Sequence, residues 1–132
     1  MDAGKKGKQV ARSIGTDLIE IARIERILAK YGQNFCRKVF TSQEVAYCYG
    51  RNPPGPSLAA RFAAKEAVAK ALGTGFQGIG WRDIEITTLP GGQPGIELHG
   101  QAQKLALAKG ISKWLVSLAH SRTHALAVVI GE

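Results

Sequence analysis

The stretch from Ser57 to Leu72 constrains this chain more than any other. Ser57 has the chemistry of a helix N-cap and Gly73 that of a C-terminal stop, which predicts a helix between them. One side of it is nearly all alanine (Ala60, Ala63, Ala64, Ala67, Ala71), which allows close backbone packing, and another carries Leu58, Phe62, Val68 and Leu72. A helix apolar on nearly every side has to be covered by the rest of the chain. Yet Arg61, Lys65, Glu66 and Lys70 lie along it, and charges on a mostly buried helix are costly unless they are paired or engaged with a ligand.

The flanking segments show what does the covering. Ile14, Thr16 and Leu18 alternate with Gly15 and Asp17, the period of a short strand with Asp17 near its end. Ile21, Ile24, Leu28 and Tyr31 then form a helical stripe that Gly32 ends. A second helix is predicted from Thr41, where Thr41 and Glu44 have capping-box spacing, to Cys48 or Tyr49. The proline- and glycine-rich segment Gly50 to Pro56 is a predicted loop. Beyond the alanine-rich helix and a glycine-rich stretch, Ile84 to Thr88 and Ile96 to Leu98 form a hairpin about Gly91-Gly92. A short helix from Gln101 to Lys109 and two closing strands, Trp114 to Ala119 and Ala125 to Ile130, complete an α+β fold, a small and mainly antiparallel sheet packed on helices.

At 132 residues the chain is one domain, and no apolar run approaches the roughly 18 residues of a membrane span. Cys36 and Cys48 make neither a disulfide framework nor a cysteine zinc site, which suits a reducing cytoplasm. The net charge is +8, of which residues 1–13, a predicted disordered basic tail or expression remnant, hold Lys5, Lys6, Lys8 and Arg12 against Asp2. The domain itself, residues 14–132, keeps a moderate excess that suits a phosphorylated ligand, an acidic protein or a nucleic acid.

Residues that could carry chemistry begin with Asp17, whose carboxylate projects from a strand end and would otherwise be a capping or surface aspartate. Glu66 and Lys70 stand one helical turn apart, where the carboxylate can hold a hard cation and the ammonium meet a phosphate. The plainer reading is an i,i+4 ion pair. Gly73-Thr74-Gly75 reads as a helix stop rather than a phosphate loop, and the chain has neither a P-loop nor a dinucleotide fingerprint. His120 and His124 have zinc-pair spacing but fall on a strand and turn without the H-E-x-x-H glutamate, and His99 reads as a surface residue at a strand end.

Taken together, four blocks resemble the holo-acyl-carrier-protein synthase family, the small 4′-phosphopantetheinyl transferases of bacterial fatty acid synthesis. They are Ile14-Gly15-Thr16-Asp17-Leu18-Ile19-Glu20-Ile21 with Arg23-Ile24, then Phe40-Thr41 with Glu44 and Tyr47-Cys48. Arg61-Phe62-Ala63-Ala64-Lys65-Glu66-Ala67 with Lys70 to Gly75, and Ser117-Leu118-Ala119-His120-Ser121, follow in the family's order. The resemblance implies that fold and the transfer of phosphopantetheine from coenzyme A to a serine of apo-acyl carrier protein, releasing adenosine 3′,5′-bisphosphate. It implies Asp17 and Glu66 as ligands to magnesium, with manganese as a substitute, and Glu66, or a metal-bound water that it orients, as the preferred base for the serine proton. It implies Lys70 as a catalytic phosphate-binding lysine and Arg61 and His120 as contacts to the nucleotide phosphates, although Ala119 stands where the family often has serine. It further implies that Arg23, Arg26 and Lys30 present a basic surface to an acidic carrier protein, and that the protein is a cytoplasmic homotrimer with coenzyme A at subunit boundaries.

Two readings from other classes compete. A small basic nucleic-acid-binding module predicts aromatics interleaved with basic residues on a sheet face, and the nine aromatics are scattered along the sequence. A non-catalytic binder of coenzyme A or of an acidic protein would not need Asp17, Glu66 and Lys70 together.

Overall fold

The structure is a computed structural model that describes residues 10–132; residues 1–9 of the predicted tail lie outside the described residues. Ordered pairing begins just before the predicted first strand, where the Arg12 N–H donates to the Gly131 carbonyl (2.7 Å). Strand β1 (Ser13–Glu20) runs directly into helix α1 (Ile21–Tyr31), which buries Ile21 and Ile24 and leaves Arg23, Arg26 and Lys30 outside. Gly32, at φ 53°, then turns the chain straight into α2 (Gln33–Val39). No sequence signal had marked this helix, which buries only Cys36 and Val39. Thr41 and Glu44 form the predicted capping box at the start of α3 (Ser42–Tyr49).

The alanine-rich helix, α4, spans Gly55–Leu72 and so begins before its predicted cap. Pro54 and Pro56 sit at its start, where their missing N–H groups cost nothing, and Ser57 lies inside the first turn. The Ser57 hydroxyl donates instead to Cys48 Sγ (3.3 Å) and accepts from Arg61 (3.3 Å). Gly73, at φ 84°, closes the helix in the left-handed conformation that glycine adopts without strain.

Chain order then gives a 3₁₀ turn at Trp81–Asp83, strands β2 (Ile84–Thr88) and β3 (Pro94–Leu98), helix α5 (Gly100–Ala108), and strands β4 (Trp114–His120) and β5 (His124–Gly131). The strands make two antiparallel sheets rather than one, β1-β5-β4 and β2-β3. Helix α4 crosses the inner face of the larger sheet, over Gly15, Ile19, Ala125, Ala127 and Val129. Contact there is so close that a Cβ on Gly15 would lie 1.9 Å from the Ala67 carbonyl oxygen, which is why glycine faces alanine. Among the described residues no helix is long and apolar enough to cross a membrane.

Candidate active site

Register determines where Asp17 points. It pairs with Ala127, which pairs in turn with Leu118, so its side chain belongs to the inner face that α4 covers. There it meets Lys70, whose Nζ donates to Asp17 Oδ1 (3.0 Å) and to the Thr16 carbonyl (3.0 Å). The helical ion pair expected between Glu66 and Lys70 is not formed; Lys70 reaches to the strand instead. Glu66 is left half-buried beside Asp17, and burial first, then the Asp17 charge, raise its carboxyl pKa against the opposing pull of Lys70 and Arg23. Four predicted residues from β1, α1 and α4 thus converge.

Asp17 and Glu66 fit a divalent cation. Both offer hard oxygen donors, and they lie close enough that the Asp17 charge adds to burial in raising the Glu66 carboxyl pKa. A second group that brings its ligand atoms within 4.8 Å of one another, Glu85, Glu97 and His99, lies on the β2-β3 side of the molecule. Its Glu85 is already engaged by Thr41 (2.6 Å) and His99 (3.1 Å), bonds that outweigh burial and hold its carboxyl below the usual range. His99 lies at the surface just past the end of β3, as its sequence position suggests, and is bonded to Glu85.

Arg61 and His120 meet in a different place, a cleft of about 570 Å³ whose wall also includes Tyr47, Arg51, Asn52, Pro53 and Ser57. Arg61 is 5% exposed, packs its guanidinium over the Tyr47 ring (4.2 Å), and donates to Ser57 and to Thr88 (3.2 Å). Its Nε is buried with no partner. His120 is exposed and touches only the neighbouring Ser121 carbonyl (3.3 Å). Arg51, over the same Tyr47 ring at 4.7 Å, adds a second guanidinium to this cleft. It had not been singled out, because a basic residue in a proline-rich loop carries no periodic signal. On α4, Arg61 and Glu66 are five positions apart, about 140° around the helix, so cleft and acidic pair occupy different sides of it.

A larger and mainly apolar cleft, about 680 Å³ between α2 and α3, contains none of the predicted site residues. On α1, Arg23 joins the acidic pair, while Arg26 and Lys30 stay exposed, Lys30 over the Tyr31 ring (5.3 Å). Four of the nine aromatics, Phe35, Phe62, Trp81 and Phe76, stack in one row with centroid separations of 3.7 to 6.2 Å. They pack on one another rather than alternating with basic residues on a sheet face.

Comparison with known proteins gives the same answer as the motifs. Residues 13–129 match the 4′-phosphopantetheinyl transferase superfamily. The holo-[acyl-carrier-protein] synthase of Moorella thermoacetica is 51% identical, over 89% of this chain and 91% of its own. That of Gloeobacter violaceus is 47% identical over 93% and 94%. Among solved structures, the synthase from Neisseria meningitidis superimposes with a TM-score of 0.84 at 37% identity, covering 93% of this chain and 99% of its own. The Helicobacter pylori synthase in complex with coenzyme A gives 0.80 at 30% identity, over 90% and 99%. The chain belongs to the 4′-phosphopantetheinyl transferase superfamily.

Proposed function

We infer that this protein transfers the 4′-phosphopantetheine of coenzyme A to a serine of apo-acyl carrier protein, leaving adenosine 3′,5′-bisphosphate. The observation that carries the assignment of the site is the meeting of Asp17, Glu66 and Lys70 on one side of α4. Asp17 and Glu66 would hold magnesium, or manganese in its place; when bound, that ion screens the pyrophosphate oxygens of coenzyme A so that a hydroxyl can approach. Glu66 would accept the serine proton as the hydroxyl oxygen bonds to phosphorus. The phosphorus–oxygen bond to the adenosine bisphosphate breaks in the same exchange. Lys70 spends two of its three N–H groups on Asp17 and Thr16, which leaves one for the charge that develops on the phosphate.

The cleft of Arg61, Arg51 and His120 would take the nucleotide phosphates, and the two guanidiniums gathered on Tyr47 at its wall support that. Arg23, Arg26 and Lys30 would face the acidic carrier protein. The outer face of the larger sheet is apolar, with Ile14 65%, Leu18 64%, Leu115 44% and Leu126 39% exposed, which supports cover by further copies in a homotrimer. Two free, buried cysteines suit a cytoplasmic protein. The test is chromatographic. With apo-carrier protein and magnesium, coenzyme A should yield adenosine 3′,5′-bisphosphate in proportion to carrier consumed, and 3′-dephospho-coenzyme A should react with a raised KM that Arg61→Ala no longer distinguishes. Equal use of both substrates by the wild type would remove the nucleotide role of the cleft.

A further inference from the structure

Lys65 is fully buried beside the catalytic stripe and takes part in none of the chemistry above. Its Nζ lies 2.7 Å from Glu44 Oε1 and donates to the carbonyls of Trp81 (3.1 Å) and Ile84. Three acceptors match the three N–H groups of an ammonium, a full set of partners that works against the burial lowering the Lys65 pKa. Glu44 is equally complete: Oε1 also accepts from the Thr41 N–H (2.8 Å) and Oε2 from the Ile86 N–H (2.9 Å). Four pieces of the fold, the α3 cap, α4, the 3₁₀ turn and β2, are joined at one pair of side chains that are 0% exposed.

The two sides of α4 are held in different ways. Toward the larger sheet it presents alanines, which permit close approach without interlocking, and the side-chain tie on that side is the half-exposed Lys70 to Asp17 and Thr16. Toward β2 it is tied by hydrogen bonds from Lys65, and Glu66 is the next residue along the helix. Side chains reach about 5–6 Å from a helix axis, so a rotation of about 20° would swing the Glu66 carboxylate by about 2 Å relative to Asp17.

We propose that the Lys65–Glu44 pair is a positioning device that holds the rotation of α4 and so aims Glu66 at Asp17. This rests on the reading of Asp17 and Glu66 as the metal-holding pair. Lys65 and Glu44 are positioning residues: they touch neither substrate nor metal, and they act through Glu66.

The test pairs Lys65→Met/Glu44→Gln, which removes both charges together and keeps an acceptor for the Ile86 N–H, with Glu44→Gln alone, which keeps the shape and leaves the Lys65 ammonium without its counter-charge. Folding is checked by circular dichroism and thermal melting. Free Mn²⁺ is counted by electron paramagnetic resonance in the presence of coenzyme A, coenzyme A binding without metal by calorimetry, and turnover at saturating substrates. The double variant should bind Mn²⁺ about tenfold more weakly and lose about tenfold or more in kcat, since an ångström of misplacement can cost about a hundredfold. Its metal-free coenzyme A affinity should change less than its Mn²⁺ affinity, because the long Arg61 side chain is held outside α4 by Tyr47 and Thr88 and can follow a small rotation. The single variant, nearly isosteric with the wild type, should show the same split and serves as the test on its own where the double variant does not fold. A folded variant with wild-type Mn²⁺ binding and kcat would overturn the proposal. Absence of Mn²⁺ binding by the wild type would overturn the metal reading, and the proposal with it.

Discussion

Glu66 is asked to be two things that its surroundings make compatible. A carboxyl that burial and Asp17 hold above its ordinary pKa is a poor isolated anion but a good base and a ready partner for a cation. Both roles need the ionised form, so activity should fall as pH drops through the raised pKa of Glu66. Magnesium competes with that proton, so raising its concentration should carry the acid limb of the kcat/KM profile to lower pH. Asp17→Asn should also lower the Glu66 pKa while costing most of the turnover; a pH profile independent of magnesium would contradict the pairing. Asp17→Ala and Glu66→Ala should each leave a folded protein with little turnover. Lys70→Ala should act mainly on kcat, with KM for coenzyme A nearly unchanged, because the spare N–H is used as charge develops. An unchanged kcat, measured at saturating substrates, would reduce Lys70 to a structural partner of Asp17.

Whole elements bring these side chains together, and the contact of β1 with α4 sets their separation. Gly15→Ala adds a Cβ that would lie 1.9 Å from a backbone oxygen of α4, so the strand must move and take Asp17 with it. The variant should lose several degrees in Tm, as expected for about 1–3 kcal/mol of overpacking, and most of its turnover. Near-normal melting and activity would show that strand and helix tolerate separation. This close approach was readable in advance from the alanine side of α4, and the α3 cap was readable from Thr41 and Glu44, because both follow from local chemistry. Helix α2 was not readable, since seven residues with two buried side chains show too little periodicity. The early start of α4 was hidden because prolines signal loops and first helical turns alike. Pairing into two sheets is a long-range choice that no single strand encodes.

For the whole molecule, the apolar outer face of the larger sheet is the outstanding feature of the surface. A trimer should sediment at micromolar concentration, and Leu18→Glu should yield smaller species with reduced activity. A fully active monomer would remove the shared-site arrangement and leave the transferase assignment standing. The site was legible as a set of residues but not as a geometry. The motifs marked Asp17, Glu66, Lys70, Arg61 and His120, whereas only the fold shows Lys70 reaching to Asp17 and Arg61 sharing a different cleft with His120. Lys65 was legible as a charge on a buried helix in need of a partner and Glu44 as a cap, but only the fold shows that each is the other's partner. The most direct measurement is the intact mass of an apo-acyl carrier protein after incubation with coenzyme A and magnesium, using the wild type beside Asp17→Ala and Glu66→Ala. The wild type should shift the carrier by one phosphopantetheine arm and the two variants should leave it almost unmodified. A carrier unchanged by the wild type, or modified equally well by either variant, would contradict this account.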